Sequence, residues 1–160
     1  IAGGGPEAEA MKAHCISAGV EATFRGVLPM SEINCFFRQI DVLILASTTS
    51  DDGWGVVVSE ALMCGVAVVA TTTVGASIVL DRSLFGRCVP PNNPTAIADA
   101  IEQLRDTGEL KPAKRTLRTT TAVNILSAYA GAEYLMQVIS WSDGHGARPQ
   151  AFYQKHDKCS

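Results

Sequence analysis

The chain has 160 residues, 47% of them apolar and 6% aromatic, with 14 glycines and a formal net charge of −3. That length suits one domain with a real buried core, and so small a net charge gives no argument for a nucleic-acid partner. Five scattered cysteines (Cys15, Cys35, Cys64, Cys88, Cys159) and three dispersed histidines offer neither zinc spacing nor a disulfide framework, and the sequence shows no apolar run of about 18 residues and no signal peptide.

The composition points to an Ala/Val-rich α/β protein in a reducing, cytoplasmic setting, with no metal and no cofactor expected. Charge is unevenly spread. Residues 1–104 hold 5 Lys/Arg against 11 Asp/Glu, and residues 105–160 hold 8 against 5. The basic tail reads either as a solvated helix face or as a surface for a partner domain or an anionic membrane.

In chain order, Ile1 and Ala2 look like the end of a strand running into the turn Gly3-Gly4-Gly5-Pro6, so the sequence reads as beginning inside a sheet. A helix is predicted over 7–18, with Ala8, Met11 and Ile16 apolar and a stop at Gly19. A short strand follows over 22–27. The next helix starts near Ser31, a candidate N-cap, and carries Ile33, Phe36, Phe37 and Ile40 on its apolar face. The apolar run 41–46 suits a parallel strand buried on both sides. After a loop over 47–55, a helix over 56–64 ends at Gly65 in a C′ position.

Residues 66–71 form a second buried strand, with a weak helical turn near 78–80 and a short edge strand over 86–89. Asn93 opens a helix running through Leu104, closed by Gly108. A single long helix is predicted over 122–141, with Thr119-Thr120-Thr121 at its N-cap and Ile125, Tyr129, Leu135, Met136 and Ile139 as a core stripe. The domain then spans 1–143, and 144–160 is a loosely ordered tail. Alternation of strand and helix implies a doubly wound parallel sheet, Rossmann-like, with ligands at the carboxyl ends of its strands.

The stretch from Asp51 to Gly65 carries the clearest chemistry. A flexible acidic loop leads to Gly55 at a helix entrance, and Glu60 lies one turn inside the helix. Free N–H groups at a helix start favour phosphate, and glycine lets a ligand approach the backbone. Glu60 leans back toward that end, where ligand hydroxyls are its natural partners. The nearly all-apolar neighbours of Glu60 argue that its carboxylate has a purpose. Asp51 reads as a solvated acid. Trp54 reads as a packing lid rather than a stacking platform. The Gly3–Pro6 turn is not a G-x-G-x-x-G fingerprint, and no nucleophilic triad or P-loop is present.

From Ile1 to about Leu104 these segments, in order and without large gaps, resemble the C-terminal donor-binding domain of GT-B glycosyltransferases, in the retaining family 4 (glycosyl transferases group 1). Carrying the resemblance are the G-G-G-P loop, Phe24-Arg25-Gly26-Val27, the run 41–47, the block from Trp54-Gly55 through Glu60 to Thr71, and Val89-Pro90-Pro91 with the helix after Pro94.

The resemblance implies that Glu60 binds the ribose hydroxyls of a nucleotide, while Asp52 stands where a glutamate contacts the donor sugar. It implies that Gly53, Trp54, Gly55, Val56 and Val57 meet the sugar and pyrophosphate. Val27 and Leu28 flank the base, and Gly3, Gly4 and Gly75 line the nucleotide sugar. Three positions depart from the pattern. Asp52 is one methylene short, Val74-Gly75 replaces a double glycine, and Ile78 replaces a glutamate.

The implied partners are a UDP-, GDP- or ADP-linked sugar and an N-terminal acceptor domain absent from these residues. The full-length enzyme would be cytoplasmic, peripheral to the membrane's inner face, and act in polysaccharide biosynthesis. The implied reaction is metal-independent transfer of the sugar to an acceptor hydroxyl with retention, this fragment being inactive alone. Alternatives are a nucleotide-sugar epimerase, a glucan synthase, or a non-catalytic nucleotide-binding or interaction module of degenerate GT-B fold.

Overall fold

The computed structural model describes residues 1–154 and falls into two units, Ile1–Phe36 and Phe37–Ser160. Residues 155–160, the end of the expected tail, lie outside the described residues.

The first unit is built on α1 (Ala8–Ser17). Its expected strand over 22–27 is not formed: those residues make a few bonds to the first residues of the chain, and Gly26, at φ 65°, turns the backbone before Val27. Ile1 N donates to Thr23 O at 2.7 Å, Arg25 N to Ile1 O at 2.8 Å, and Gly3 N to Gly26 O at 2.7 Å. The apolar stripe of α1 buries nothing fully, and Ile16 is 81% exposed. The next helix, α2 (Met30–Phe37), starts one residue before Ser31, which therefore lies inside the helix and is not its cap.

The second unit holds a parallel three-stranded sheet in the order β1 (Val42–Leu45), β2 (Ala67–Thr71), β3 (Gly86–Val89). Val42 pairs with Ala67, and Val68 with Gly86. Parallel strands need crossovers, here α3 (Val56–Met63) and a 3-10 helix (Gly75–Asp81). β2 is wholly buried, as a central strand should be. β1 is not: it has a strand neighbour on one side only among the described residues, and Ile44 is 46% exposed.

Side chains alternate along β2. Ala67 and Val69 join Val89 in a cluster with Ala100 and Leu104 of α4 (Pro94–Asp106). Val68 and Ala70 point to the opposite face, on the side of α3, whose Val58, Ala61 and Leu62 are buried. α3 packs in turn on α5 (Pro112–Leu126). Helices therefore cover both faces, as the doubly wound reading requires. Asn93 caps α4 as expected, accepting from Ala96 N at 3.0 Å.

The predicted long helix is two helices. α5 ends at Leu126, Ser127 is extended (ψ 157°), and α6 (Ala128–Ser142) restarts with Ser127 Oγ accepting from Ala130 N. A serine that satisfies an orphan N–H makes such a break inexpensive. Thr119 and Thr120 are interior to α5, donating back to Arg115 O and Thr116 O, so they are not caps. Of the expected core stripe only Ile125 is buried. Tyr129, Leu135, Met136 and Ile139 are exposed on α6.

Part of the basic tail turns inward instead of lying solvated. Arg118 is 1% exposed and donates to three carbonyls: Nε to Leu84 O at 2.6 Å, Nη1 to Gly65 O at 2.9 Å, and Nη2 to Glu109 O at 2.8 Å. Burial lowers its pKa, and the nearby Glu109 carboxylate opposes that shift. Arg115 ties α5 to Phe37 O and Ile40 O. In the described part of the tail, residues 145–151 carry no helix or strand, and Phe152–Gln154 makes a 3-10 turn.

Candidate functional site

The loop leaving β1 and the loop leaving β2 meet at the carboxyl end of the sheet, and two sets of hydrogen bonds clasp them together. At the base, Thr71 Oγ1 and Thr73 Oγ1 both donate to Ser47 O, at 2.6 and 2.7 Å. At the tip, Gly75 N donates to Gly53 O at 2.9 Å and Ala76 N to Trp54 O at 2.7 Å. A Cβ on Gly75 would lie 2.5 Å from Gly53 O, so only glycine allows this approach. None of the three hydroxyl-bearing residues at the base stood out in the sequence. The signal available was the run Thr71-Thr72-Thr73 at a strand end.

The clasp fixes how the chain enters α3. Gly55 is its N-cap at φ 76°, ψ 64°, a left-handed conformation that suits glycine. A Cβ there would also lie 2.6 Å from Val74 Cγ1 and 3.4 Å from Leu45 Cδ2. Gly55 has no side chain to cap the helix, and the N–H groups of Val56 and Val57 have no partner among the described residues. Those amides carry the positive end of the helix dipole.

Around this entrance Asp52 is exposed, and its Oδ2 lies 3.6 Å from the position of a Gly55 Cβ. Glu60 is half-buried one turn into α3; its carbonyl accepts from Cys64 N at 3.0 Å, while its carboxylate has no hydrogen-bond or ion-pair partner among the described residues. Asp52, Gly53, Trp54, Gly55 and Gly75 are thus brought together at one end of the sheet, with Val56 and Val57 on the first turn of α3 and Glu60 just beyond it. Trp54 donates from Nε1 to Ser59 Oγ at 2.9 Å, and its ring stands 5.9 Å from that of Phe152. Val74 is buried against Gly55, and Ile78 is exposed on the 3-10 helix.

Within the first unit, Gly3 and Gly4 line a cavity of about 350 Å3 with Pro6, Met11 and Phe24. A Cβ on Gly4 would stand 3.3 Å from Val27 Cγ2, so Gly4 and Val27 adjoin. Val27 is largely exposed and Leu28 half-buried.

Cys64, the C-cap of α3, has its thiol pKa raised chiefly by burial, against the lowering influence of Arg115 and Arg38. Protonated Cys64 therefore stabilises the fold below the unfolded thiol's pKa, and that contribution is lost as pH rises through the higher folded value. Iodoacetamide should label the exposed Cys35 and Cys88 well before Cys64 at pH 8, read by peptide mass spectrometry. Equal rates at all three would remove this assignment.

Residues 1–117 match the family described as glycosyl transferases group 1. A D-inositol 3-phosphate glycosyltransferase of Paenarthrobacter aurescens (strain TC1) is 34% identical over 84 residues, which are 52% of this chain and 20% of that protein. The chain thus spans about a fifth of that relative's length. Among solved structures, the HepE protein of Anabaena in complex with UDP aligns over 88% of this chain and 40% of its own at 18% identity and TM-score 0.71. The same protein with UDP-glucose aligns with TM-score 0.67, at 19% identity over 88% and 40% of the two chains. Sucrose-phosphate synthase of Thermosynechococcus elongatus aligns over 88% of this chain and 35% of its own, at 19% identity and TM-score 0.69. These likenesses show a shared fold, the α/β sheet half of a GT-B enzyme.

Proposed function

We propose, for a chain that belongs to the glycosyl transferases group 1 family, that the clasped loops and the start of α3 form the donor site of a glycosyltransferase. The carrying observation is the bare N-terminus of α3, held open by left-handed Gly55, with Glu60 one turn inside it. The N–H groups of Val56 and Val57 take the donor's phosphate oxygens, and Glu60 takes the ribose hydroxyls. Gly53, Trp54 and Gly75 shape the space around the sugar, which Asp52 contacts. Gly3, Gly4, Val27 and Leu28 are assigned nucleotide contacts on the family resemblance alone.

In the reaction the bond between the sugar's anomeric carbon and the nucleotide diphosphate breaks. A bond to an acceptor hydroxyl forms on the same face, and the hydroxyl proton passes to the departing diphosphate. Negative charge grows on the departing diphosphate, where preorganised amide dipoles lower the barrier without a metal. HepE's complexes with UDP and UDP-glucose favour UDP among the candidate nucleotides. The acceptor, retention, a role in polysaccharide synthesis and a cytoplasmic, peripheral location belong to this proposal for the whole enzyme. Among the described residues no helix is long and apolar enough to cross a membrane.

Glu60→Ala removes a charged hydrogen bond worth about 1.5–3 kcal/mol, so nucleotide affinity should fall about 10–150-fold. Unchanged affinity in that variant would instead favour a non-catalytic nucleotide-binding or interaction module of the same fold, to which the departures at Asp52, Val74 and Ile78 point.

A further inference from the structure

The last described residues come back to the donor-site loops. Residues 145–151 carry no helix or strand, yet they deliver the turn Phe152–Gln154 to the ring of Trp54. The Phe152 centroid stands 5.9 Å from that of Trp54 and 6.0 Å from that of Tyr134 on α6, both within the range of aromatic pairing. The next residue holds the second loop, with Arg82 Nη2 donating to Tyr153 O at 2.9 Å. Arg82 is the C-cap of the 3-10 helix that begins at Gly75, and its guanidinium lies 5.8 Å from the centre of the buried Phe85 ring.

Two consecutive residues of this turn therefore hold both halves of the clasp. On the first loop, Trp54 joins Gly53 to Gly55, its indole donates to Ser59 Oγ on α3, and its carbonyl accepts from Ala76 N. Fixing the indole fixes the chain on either side of it, the Gly53 carbonyl and the Gly55 entry to α3 included. On the second loop, Arg82 ends the helix whose first two amides, of Gly75 and Ala76, close the clasp.

At its tip the clasp is a pair of backbone hydrogen bonds beside residues 48–53, which are exposed, and the net worth of such bonds is small. Ordering residues 145–151 costs conformational entropy. The ring contacts of Phe152 and the Arg82 bond offset that cost. Docking of the turn and closure of the clasp then favour each other, because both hold Trp54 in one place, and such coupling is reciprocal.

We propose that the turn Phe152–Gln154 is a strap that sets the donor-site loops, with Phe152 a positioning residue that acts on the bound nucleotide sugar through Trp54. The inference rests on the donor-site reading of the α3 entrance. It gives the end of the tail a part in donor binding: with the strap docked, the Gly53 and Gly75 loops stay closed and the Val56 and Val57 amides keep their common direction.

The test uses the full 160-residue chain and reads the loops both without and with UDP. By NMR hydrogen exchange, Phe152→Ala should speed exchange of the Gly75 and Ala76 amides about 2–10-fold, the range set by losing one aromatic pair. The Ala67 amide, bonded to Asp41 O at 3.0 Å in the sheet, should keep its rate. Arg82→Met, which keeps the aliphatic stem without the donor, should also speed the clasp amides, and Phe152→Tyr should restore the wild-type rates. Calorimetric affinity for UDP should fall about 2–10-fold in Phe152→Ala and recover in Phe152→Tyr. Unchanged clasp exchange in a folded Phe152→Ala protein overturns the proposal, as does an equal rise at Ala67, which marks general loosening. UDP affinity that falls in Glu60→Ala but not in Phe152→Ala overturns it too. Faster clasp exchange in Phe152→Ala, with UDP binding indifferent to both substitutions, keeps the strap and removes the donor reading instead.

Discussion

The Arg118→Ala variant should unfold about 3–5 kcal/mol more easily than the wild type, the usual cost of removing one partner from a buried ionic cluster. Three carbonyls, of Gly65, Leu84 and Glu109, lose their only side-chain donor in the cluster. The Glu109 carboxylate, itself 7% exposed, loses the guanidinium 3.9 Å from its Oε2 and keeps only Lys114 Nζ, 3.3 Å from Oε1. Those carbonyls belong to the turn after α3, the approach to β3 and the turn before α5, so one side chain ties three connections to a single helix. Urea denaturation should show the midpoint falling by about 2 M for a slope of about 2 kcal/mol/M. Lysine at 118 should rescue little, because a point charge cannot reproduce a planar fork with three separate acceptors. The exposed Arg105–Asp106 pair is the control, and Arg105→Ala should leave the midpoint where it is. A midpoint unchanged in Arg118→Ala would show that the guanidinium does not organise these turns.

Gly55→Ala should cost about 2–5 kcal/mol and should also weaken nucleotide binding. About 1–2 kcal/mol comes from forcing an L-residue into the left-handed region, and about 1–3 kcal/mol from overpacking against Val74, whose Cγ1 would stand 2.6 Å from the new carbon. Relief requires the loop to move, and that movement turns the Val56 and Val57 amides away from their common direction. Gly53→Ala separates the two effects. Gly53 is also left-handed, at φ 59°, but a Cβ there meets nothing within 4 Å. It should therefore show the backbone cost alone. Equal losses in the two variants, measured by urea denaturation, would mean that Val74 exerts no steric control over the entrance to α3.

What could be read from the residues, and what could not, follows from the range of the forces involved. The helix from Val56, its closure by Gly65 at φ 78° and the Asn93 cap rest on contacts within a few residues, so the sequence displays them. The buried run of β2 was legible because a strand covered on both faces has no polar side to disguise it. Its neighbour β1 carries an equally apolar run yet is half-exposed. Burial there depends on which elements stand beside it, and four apolar residues cannot report that. The break at Ser127 was hidden because neither proline nor glycine marks it, and serine within an apolar pattern also fits a helix interior. Arg118 was the largest omission: an arginine on a helix reads as solvated until a carbonyl from 53 residues away is found bonded to it. In the candidate site, Gly55 and Glu60 were visible from spacing. The clasp through Ser47, Thr71 and Thr73 joins residues more than 20 apart in the chain and needed coordinates.

The most direct test of the donor-site claim is calorimetric titration of this chain with UDP, GDP, ADP and their sugar conjugates, with and without EDTA. The expected result is saturable one-to-one binding that prefers one nucleotide, ignores EDTA and weakens about 10–150-fold in Glu60→Ala. A folded chain that none of these nucleotides saturates, or one that binds them equally well without Glu60, would contradict the assignment of the α3 entrance as a nucleotide-sugar site.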